Sequence, residues 1–284
     1  MPMPTIEKER FRFRHMVYII IAIVCMTSIG VAVYMQYFKD EKLGIIFGIT
    51  SEENDKEISE LKDNFLNLFT NDLTVIQGYS KDIKKIRNEE DIILLAYDIK
   101  EQGNNYTLDV EIPYFNINSE TARKFNNEIK GLFKDKSDSI ISSYREGSIV
   151  YNVRYRAYLY NNIVSLVILS ELKEETANQR IIIQAYNYDL AENREVIIDD
   201  LITLKDIDVN NANNIISEEI KSSQEQNIKL VEMGYEVAVR DYNSDMYKIN
   251  NAKEFFIGEK GYLYIVYAYG NTEHTSEMNV IILK

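Results

Sequence analysis

Two histidines, His15 and His274, a single cysteine, Cys25, and the adjacent acids Asp199 and Asp200 are the side chains of this 284-residue sequence best suited to chemistry. A zinc site gathers several His, Cys or carboxylate ligands at one point. His15 sits in a basic stretch and His274 in the polar loop Gly270 to Ser276, neither with ligands at metal-binding spacing. His274 could serve a Ser-His-Asp triad, but no nucleophile elbow presents a serine for it. Asp199 and Asp200 precede a short apolar run, Leu201 to Leu204. Acids there cap a helix, and general acid–base work is the alternative reading. The acceptor pattern Asn105-Tyr106-Thr107 marks an exposed turn, and no glycine-rich phosphate loop occurs. These residues assign no catalytic group, metal or cofactor, and the chain reads as a non-enzyme.

The element that positions everything else is Met16 to Phe38, 23 residues without a charge. As a helix it measures about 34 Å, enough to cross a hydrocarbon layer of about 30 Å. A cleaved secretory signal has an apolar core of about 7–15 residues ending at small residues. Here the run continues past Gly30-Val31-Ala32 through Tyr34, Met35, Tyr37 and Phe38. Lipoprotein processing at Cys25 asks for a small preceding residue, and Val24 stands there. The segment therefore reads as an uncleaved single-pass anchor. Lys8, Arg10, Arg12 and Arg14 precede it, whereas Lys39 and Lys42 follow beside Asp40 and Glu41. Basic residues mark the cytoplasmic side, so the N-terminus stays inside and the rest lies outside.

The chain carries a net charge of −13, and residues 1–15 hold four basic and two acidic groups, so the remainder carries −15. That balance disfavours nucleic acid, which asks for a basic face. With the only cysteine in the anchor, the exported part has no disulfide and depends on burial. Ile58, Leu61, Phe65, Leu68 and Phe69 share a helical stripe packed on the domain. Ile92 to Ile99 and Tyr106 to Ile112 pair as a hairpin through Gly103-Asn104-Asn105, with Pro113 ending the second strand. Asn118 caps an amphipathic helix bearing Ala122, Phe125, Ile129, Leu132 and Phe133.

Ile149 to Tyr160 and Ile163 to Leu172 form a long hairpin through Asn161-Asn162. Arg180 to Leu190 is a strand, and a turn at Glu192-Asn193 leads into Val196 to Ile198. Asp208 opens a helix with Ala212, Ile215, Ile216 and Ile220 on its apolar face. Glu254 to Ile257, Tyr262 to Tyr269 and Met278 to Leu283 close the chain as strands. The expected architecture is α+β: one transmembrane helix, then a mostly antiparallel sheet with packed helices. Its divisions are a cytoplasmic tail 1–15, the anchor 16–38, a linker and amphipathic helix 39–72, and a domain 73–284 with a sub-boundary near 161. Tyrosines in the strands, among them Tyr151, Tyr155, Tyr186 and Tyr188, either form a binding face or are half-buried sheet residues.

Pro113-Tyr114-Phe115 with Ile117-Asn118, and then Lys124-Phe125-Asn126-Asn127-Glu128-Ile129, resembles the extracytoplasmic domain of RsiV-type anti-sigma factors, which also precedes the catalytic domain of some peptidoglycan deacetylases. Tyr186-Asn187-Tyr188-Asp189-Leu190, Val196-Ile197-Ile198-Asp199-Asp200-Leu201 and the strands through Phe255 and Tyr264 continue the likeness over about residues 73–284. The resemblance implies sensing of an envelope or secreted ligand, with a lysozyme-like cationic protein as the kind of partner. Where family members often carry a Gly-Gly-Ala-His stretch, this chain has Glu174-Glu175-Thr176-Ala177-Asn178-Gln179. Glu171, Glu174 and Glu175 are therefore the candidate partner-binding residues. Fifteen residues before the membrane are too few for a sigma-binding segment, so no sigma-factor partner is expected. The alternative function is a non-catalytic recognition or structural part of a cell-wall enzyme or membrane complex.

Overall fold

The computed structural model describes residues 52–78, 83–142, 147–235, 237, 239–268 and 277–284. The expected anchor 16–38, both histidines and Cys25 lie outside the described residues. Among the described residues no helix is long and apolar enough to cross a membrane. The chain packs as two units, 1–60 and 61–284. Helix α1, Glu52–Asp63, supplies the described part of the first, where exposed Lys56 and Glu60 pair at 3.8 Å. The helix ends at Asp63, and a 3₁₀ turn, Phe65–Leu68, carries the apolar stripe onward. Leu61, Phe65, Leu68 and Phe69 are all buried, so the domain's own packing starts at residue 61.

Within 61–284 the fold is α+β with two sheets. The larger contains β1 (Leu73–Val75), β2 (Ile93–Gln102), β3 (Tyr106–Phe115), β4 (Ile149–Tyr160), β5 (Ile163–Glu174), β6 (Arg180–Asp189) and β7 (Arg194–Glu195), in the order β2-β3-β4-β5-β6-β7. β3 runs parallel to the first half of β4, Tyr106 opposite Ile149, and β1 runs parallel to its second half, Leu73 opposite Ala157. Parallel neighbours need a crossover. Between β3 and β4 it is α2 (Glu120–Ile129), a π turn (Lys130–Lys134) and α3 (Asp135–Ser142). Residue alternation predicts a strand but not its direction, so these parallel pairs leave no mark in the residue pattern.

Three local expectations are corrected. Pro113 does not end β3, which continues to Phe115. A proline needs a place where no ladder donor is required, and here β4 pairs β3 only as far as Val110 while β2 bulges between Leu95 and Tyr97 opposite Pro113. The cap of α2 is Ser119 rather than Asn118, its Oγ accepting from the Ala122 N–H at 3.0 Å. Val196 to Ile198 is not a strand, because Ile198 already opens α4 (Ile198–Leu204) after the two-residue β7. Asn161 and Asn162 do form a tight turn, with φ of 48° and 68°, the left-handed values that asparagine tolerates and such hairpins require. That turn joins β4 and β5 into one continuous antiparallel hairpin.

The smaller sheet is β8 (Glu254–Ile257), β9 (Leu263–Ala268) and β10 (Met278–Leu283), all antiparallel. Four layers result. The α2–α3 crossover covers one face of the large sheet through Phe125, Ile129, Phe133 and Ile140. The small sheet covers the other, where the Phe256 ring stacks on Tyr264 at 4.9 Å and Tyr158 at 6.2 Å. Helix α5 (Val209–Glu232) closes the far side with Ala212, Ile216 and Ile220, while Ile215 is 39% exposed and off the buried face. Tyr151, Tyr155, Tyr158, Tyr186 and Tyr188 are buried, so these sheet tyrosines are core rather than a binding face. Burial pushes the Tyr155 and Tyr158 phenols up to about 12.

Side chains rather than a ladder join the two sheets. The Ser165 hydroxyl donates to Asn187 Oδ1 at 2.6 Å and accepts from the Ile257 N–H at 3.0 Å, and Asn187 Nδ2 donates to the Phe255 carbonyl at 2.7 Å. Glu254 Oε2 accepts from the Ala185 N–H at 2.8 Å, satisfying the outer edge of β6. Burial raises the Glu254 carboxyl above its ordinary value despite that bond. A folded-state pKa above the unfolded one means the native state binds the extra proton, so this group's contribution to stability falls as pH rises from 4.5 through the raised value. Glu254→Gln should therefore flatten that part of the pH–stability curve while keeping an acceptor for Ala185. Glu254→Ala should cost about 1–3 kcal/mol by orphaning the amide. Denaturant titrations from pH 4 to 8 read both, and an unchanged pH slope in the glutamine variant would refute the assignment.

Candidate functional site

The three sequence-chosen glutamates lie at the turn end of the β5–β6 hairpin, Glu171 and Glu174 in β5 on opposite faces and Glu175 in the turn itself. Glu171 accepts from Gln179 Nε2 at 3.3 Å. Glu174 pairs with Arg180 and, at 3.7 Å, with Lys136 on α3. Glu175 occupies the turn with φ of 42°, its N–H bonded to the Ser148 carbonyl at 2.8 Å. Two cations thus hold Glu174, leaving a less acidic surface than the sequence implied. Asp199 and Asp200 are structural. Asp200 accepts the Ile197 N–H at 2.9 Å at the start of α4 and takes Arg194 bidentately at 2.7 and 3.0 Å, which holds its carboxyl below the ordinary value. Asp199 accepts from Asn250 Nδ2 at 2.9 Å. Among the described residues no three His, Cys, Asp or Glu side chains are grouped to hold a metal ion.

A second place, which the sequence reading missed, is a cleft of about 390 Å³ between the β2–β3 hairpin and the α2 crossover. Its floor is apolar, from buried Ile112, Pro113 and Ile129, and its rim carries Arg87, Lys130 and Lys134 with Tyr97, Tyr114 and exposed Ala96. Several local devices build it. Ala96 stands at the β2 bulge, and bulges re-aim the chain beside functional sites. The π turn that bears Lys130 and Lys134 inserts an irregularity of a kind also frequent at such sites. Asn126 ties α2 to the end of β3, accepting from the Phe115 N–H at 2.8 Å and donating to its carbonyl at 3.0 Å. Fully buried Asn116 accepts the Arg87 N–H at 2.7 Å and donates to the carbonyls of Arg87 and Asp91 at 3.2 and 3.0 Å, fixing the loop that presents Arg87.

The cations are set over aromatic rings. Arg87 lies 5.4 Å from the centre of the Tyr114 ring, and Lys134 lies 4.9 Å from that of Tyr97. Such pairs fix the position of a positive charge as well as adding a modest attraction. Lys134 bonds Asp138 at 2.5 Å, which raises its pKa and keeps it charged, and Arg87 is 3.9 Å from Glu89. Lys130 is exposed and has no carboxylate within ion-pair reach among the described residues. The Tyr114 hydroxyl is buried with no hydrogen-bond partner, and burial raises its pKa, so it remains a donor. The cleft can hold an anion against an apolar surface. Only the Asn126-Asn127 and Pro113-Tyr114 wording hinted at it, because Arg87, Tyr97 and Lys130 are far apart in sequence and meet through the crossover.

No protein-family model matches the sequence, and no curated protein matches it. Crystal structures of two DUF3298 family proteins resemble it. One, from Bacteroides fragilis, is 13% identical over 67% of this chain and 89% of its own, with a TM-score of 0.38. The other, from Pseudomonas aeruginosa, is 10% identical over 67% of this chain and 86% of its own, also with a TM-score of 0.38.

Proposed function

We propose that this chain is a single-pass, membrane-anchored binding protein whose extracytoplasmic domain recognises a cell-envelope or secreted ligand without transforming it. The observation that supports the reading is the cleft beside α2, where cations, two of them held over aromatic rings, surround an apolar floor. Such a set is suited to gripping a ligand. The wording shared with RsiV-type extracytoplasmic domains falls on the elements that frame the cleft, the end of β3 and α2. A lysozyme-like cationic protein is the second reading, favoured by the charge of −15 beyond residue 15 and by the place of Glu171, Glu174 and Glu175 at the turn end of one hairpin.

The test uses the full chain in lipid nanodiscs, mixed with isolated Gram-positive-type cell walls and, separately, with lysozyme at rising salt. Retention on walls above empty nanodiscs is expected. If lysozyme is held and discriminated from another small basic protein at physiological salt while walls are not, the second reading replaces the first. Retention of neither overturns the proposed function.

A further inference from the structure

We infer that the cleft between the β2–β3 hairpin and α2 binds a sugar bearing an anionic group, a carboxylate or a phosphate. The inference deepens the envelope-binding reading and rests on it for its biological setting, but its chemistry is local. In a chain with net charge −13, three cations on one rim depart from the surrounding surface. Two of them are held over tyrosine rings, so little side-chain freedom is lost when an anion arrives. Lys130 adds a charge that no neighbouring carboxylate cancels among the described residues. A nucleic-acid strand would want a longer basic track with exposed stacking faces, whereas here the rings already carry cations.

The apolar floor requires more of the ligand than charge. Ile112, Pro113 and Ile129 offer no hydrogen bonds from their side chains and suit the C–H face of a pyranose. Around that floor Asn127 and the unpartnered Tyr114 hydroxyl supply donors for ring oxygens. At about 390 Å³ the cleft falls at the small end of ligand sites, about 300–1,000 Å³, and fits one or two sugar rings rather than a long polymer segment. The β2 bulge and the π turn are departures from regular geometry that border this one cleft, and the buried Tyr114 hydroxyl is a cost that a ligand oxygen would remove.

Calorimetry on the full chain in detergent micelles, at constant salt, tests the inference with four probes: glucuronate, glucose 6-phosphate, glucose and inorganic phosphate. At least one of the two anionic sugars should bind at least about tenfold more tightly than both glucose and inorganic phosphate. Which of them does so identifies the anionic group. Lys130→Ala should weaken that binding by about tenfold with the melting temperature unchanged, because Lys130 is exposed. Tyr114→Phe should weaken it without loss of thermal stability, which separates a ligand contact from a structural one. Equal binding of glucose, equal binding of bare phosphate, no binding of either anionic sugar, or an unaltered affinity in Lys130→Ala would each overturn the inference. Wall retention that survives in Lys130→Ala would remove the cleft from envelope binding and leave the proposed function standing. Tight sugar binding without wall retention would do the reverse.

Discussion

Phe256→Ala is expected to lower the unfolding free energy of the domain by about 3–5 kcal/mol, the range for deleting a buried phenylalanine ring. The ring is fully buried between the two sheets, stacked on Tyr264 at 4.9 Å and Tyr158 at 6.2 Å, with Phe65 at 6.4 Å. Its neighbours come from β4, β9 and the 3₁₀ turn at Phe65, so no single element can move in to fill the hole. Phe256→Leu should recover part of the loss because it restores volume but not the stack. Urea titration of the full chain in detergent, followed by circular dichroism, measures both. Leu132, 51% exposed, is the control, and its alanine variant should change stability by no more than about 0.5 kcal/mol. A Phe256→Ala cost within that control range would show that the sheets do not share a packed interior.

Asn116→Ala should cost about 2–3 kcal/mol and, in the same variant, weaken any ligand of the α2 cleft. The buried amide makes three bonds to the loop backbone, at Arg87 twice and Asp91 once. Removing it strands those groups, and each buried orphan costs about 1–3 kcal/mol where water cannot reach it. The same loop carries Arg87 over Tyr114, so its release should loosen one of the three cations. Asn116→Asp separates the effects, because it keeps the acceptor for Arg87 N–H and loses the two donations. Hydrogen exchange at the Arg87 amide is the direct measurement. Protection unchanged in Asn116→Ala would mean that something other than Asn116 holds the loop.

Much of the fold was legible because it depends on short-range chemistry. The paired asparagines at 161 and 162 announced a left-handed two-residue turn, and Asp208 announced the start of α5, where its Oδ1 accepts from the N–H groups of Asn210 and Asn211. The last three strands were readable as short runs rich in aromatic and β-branched residues. What sequence could not give was direction and partnership. The parallel β3–β4 pair arises from a crossover 33 residues long between Phe115 and Ile149, and nothing in either strand records it. Pro113 misled because its cost depends on whether a neighbour asks for its missing N–H, and there the neighbour bulges. The chosen glutamates lie at the turn end of the β5–β6 hairpin, and Glu174 is committed to Arg180 and Lys136, which no sequence pattern records. The cleft was invisible because its cations come from a loop and a π turn that only the tertiary fold brings to one rim.

The central hairpin β4–β5 has a face in each interior, and this sets an order on completion. One side of it is covered by α2 and α3, which precede it in the chain, so that interior can form as soon as β5 and β6 are made. The other side meets Phe256 and Tyr264 from β8 and β9, in the small sheet that β10 completes. A chain delivered N-terminus first therefore presents a long apolar sheet face, bearing Tyr158 and waiting beside Phe65, until β8 and β9 have arrived. Removal of β8–β10 would uncover that face permanently, which makes the small sheet the closure of the domain rather than an appendage to it.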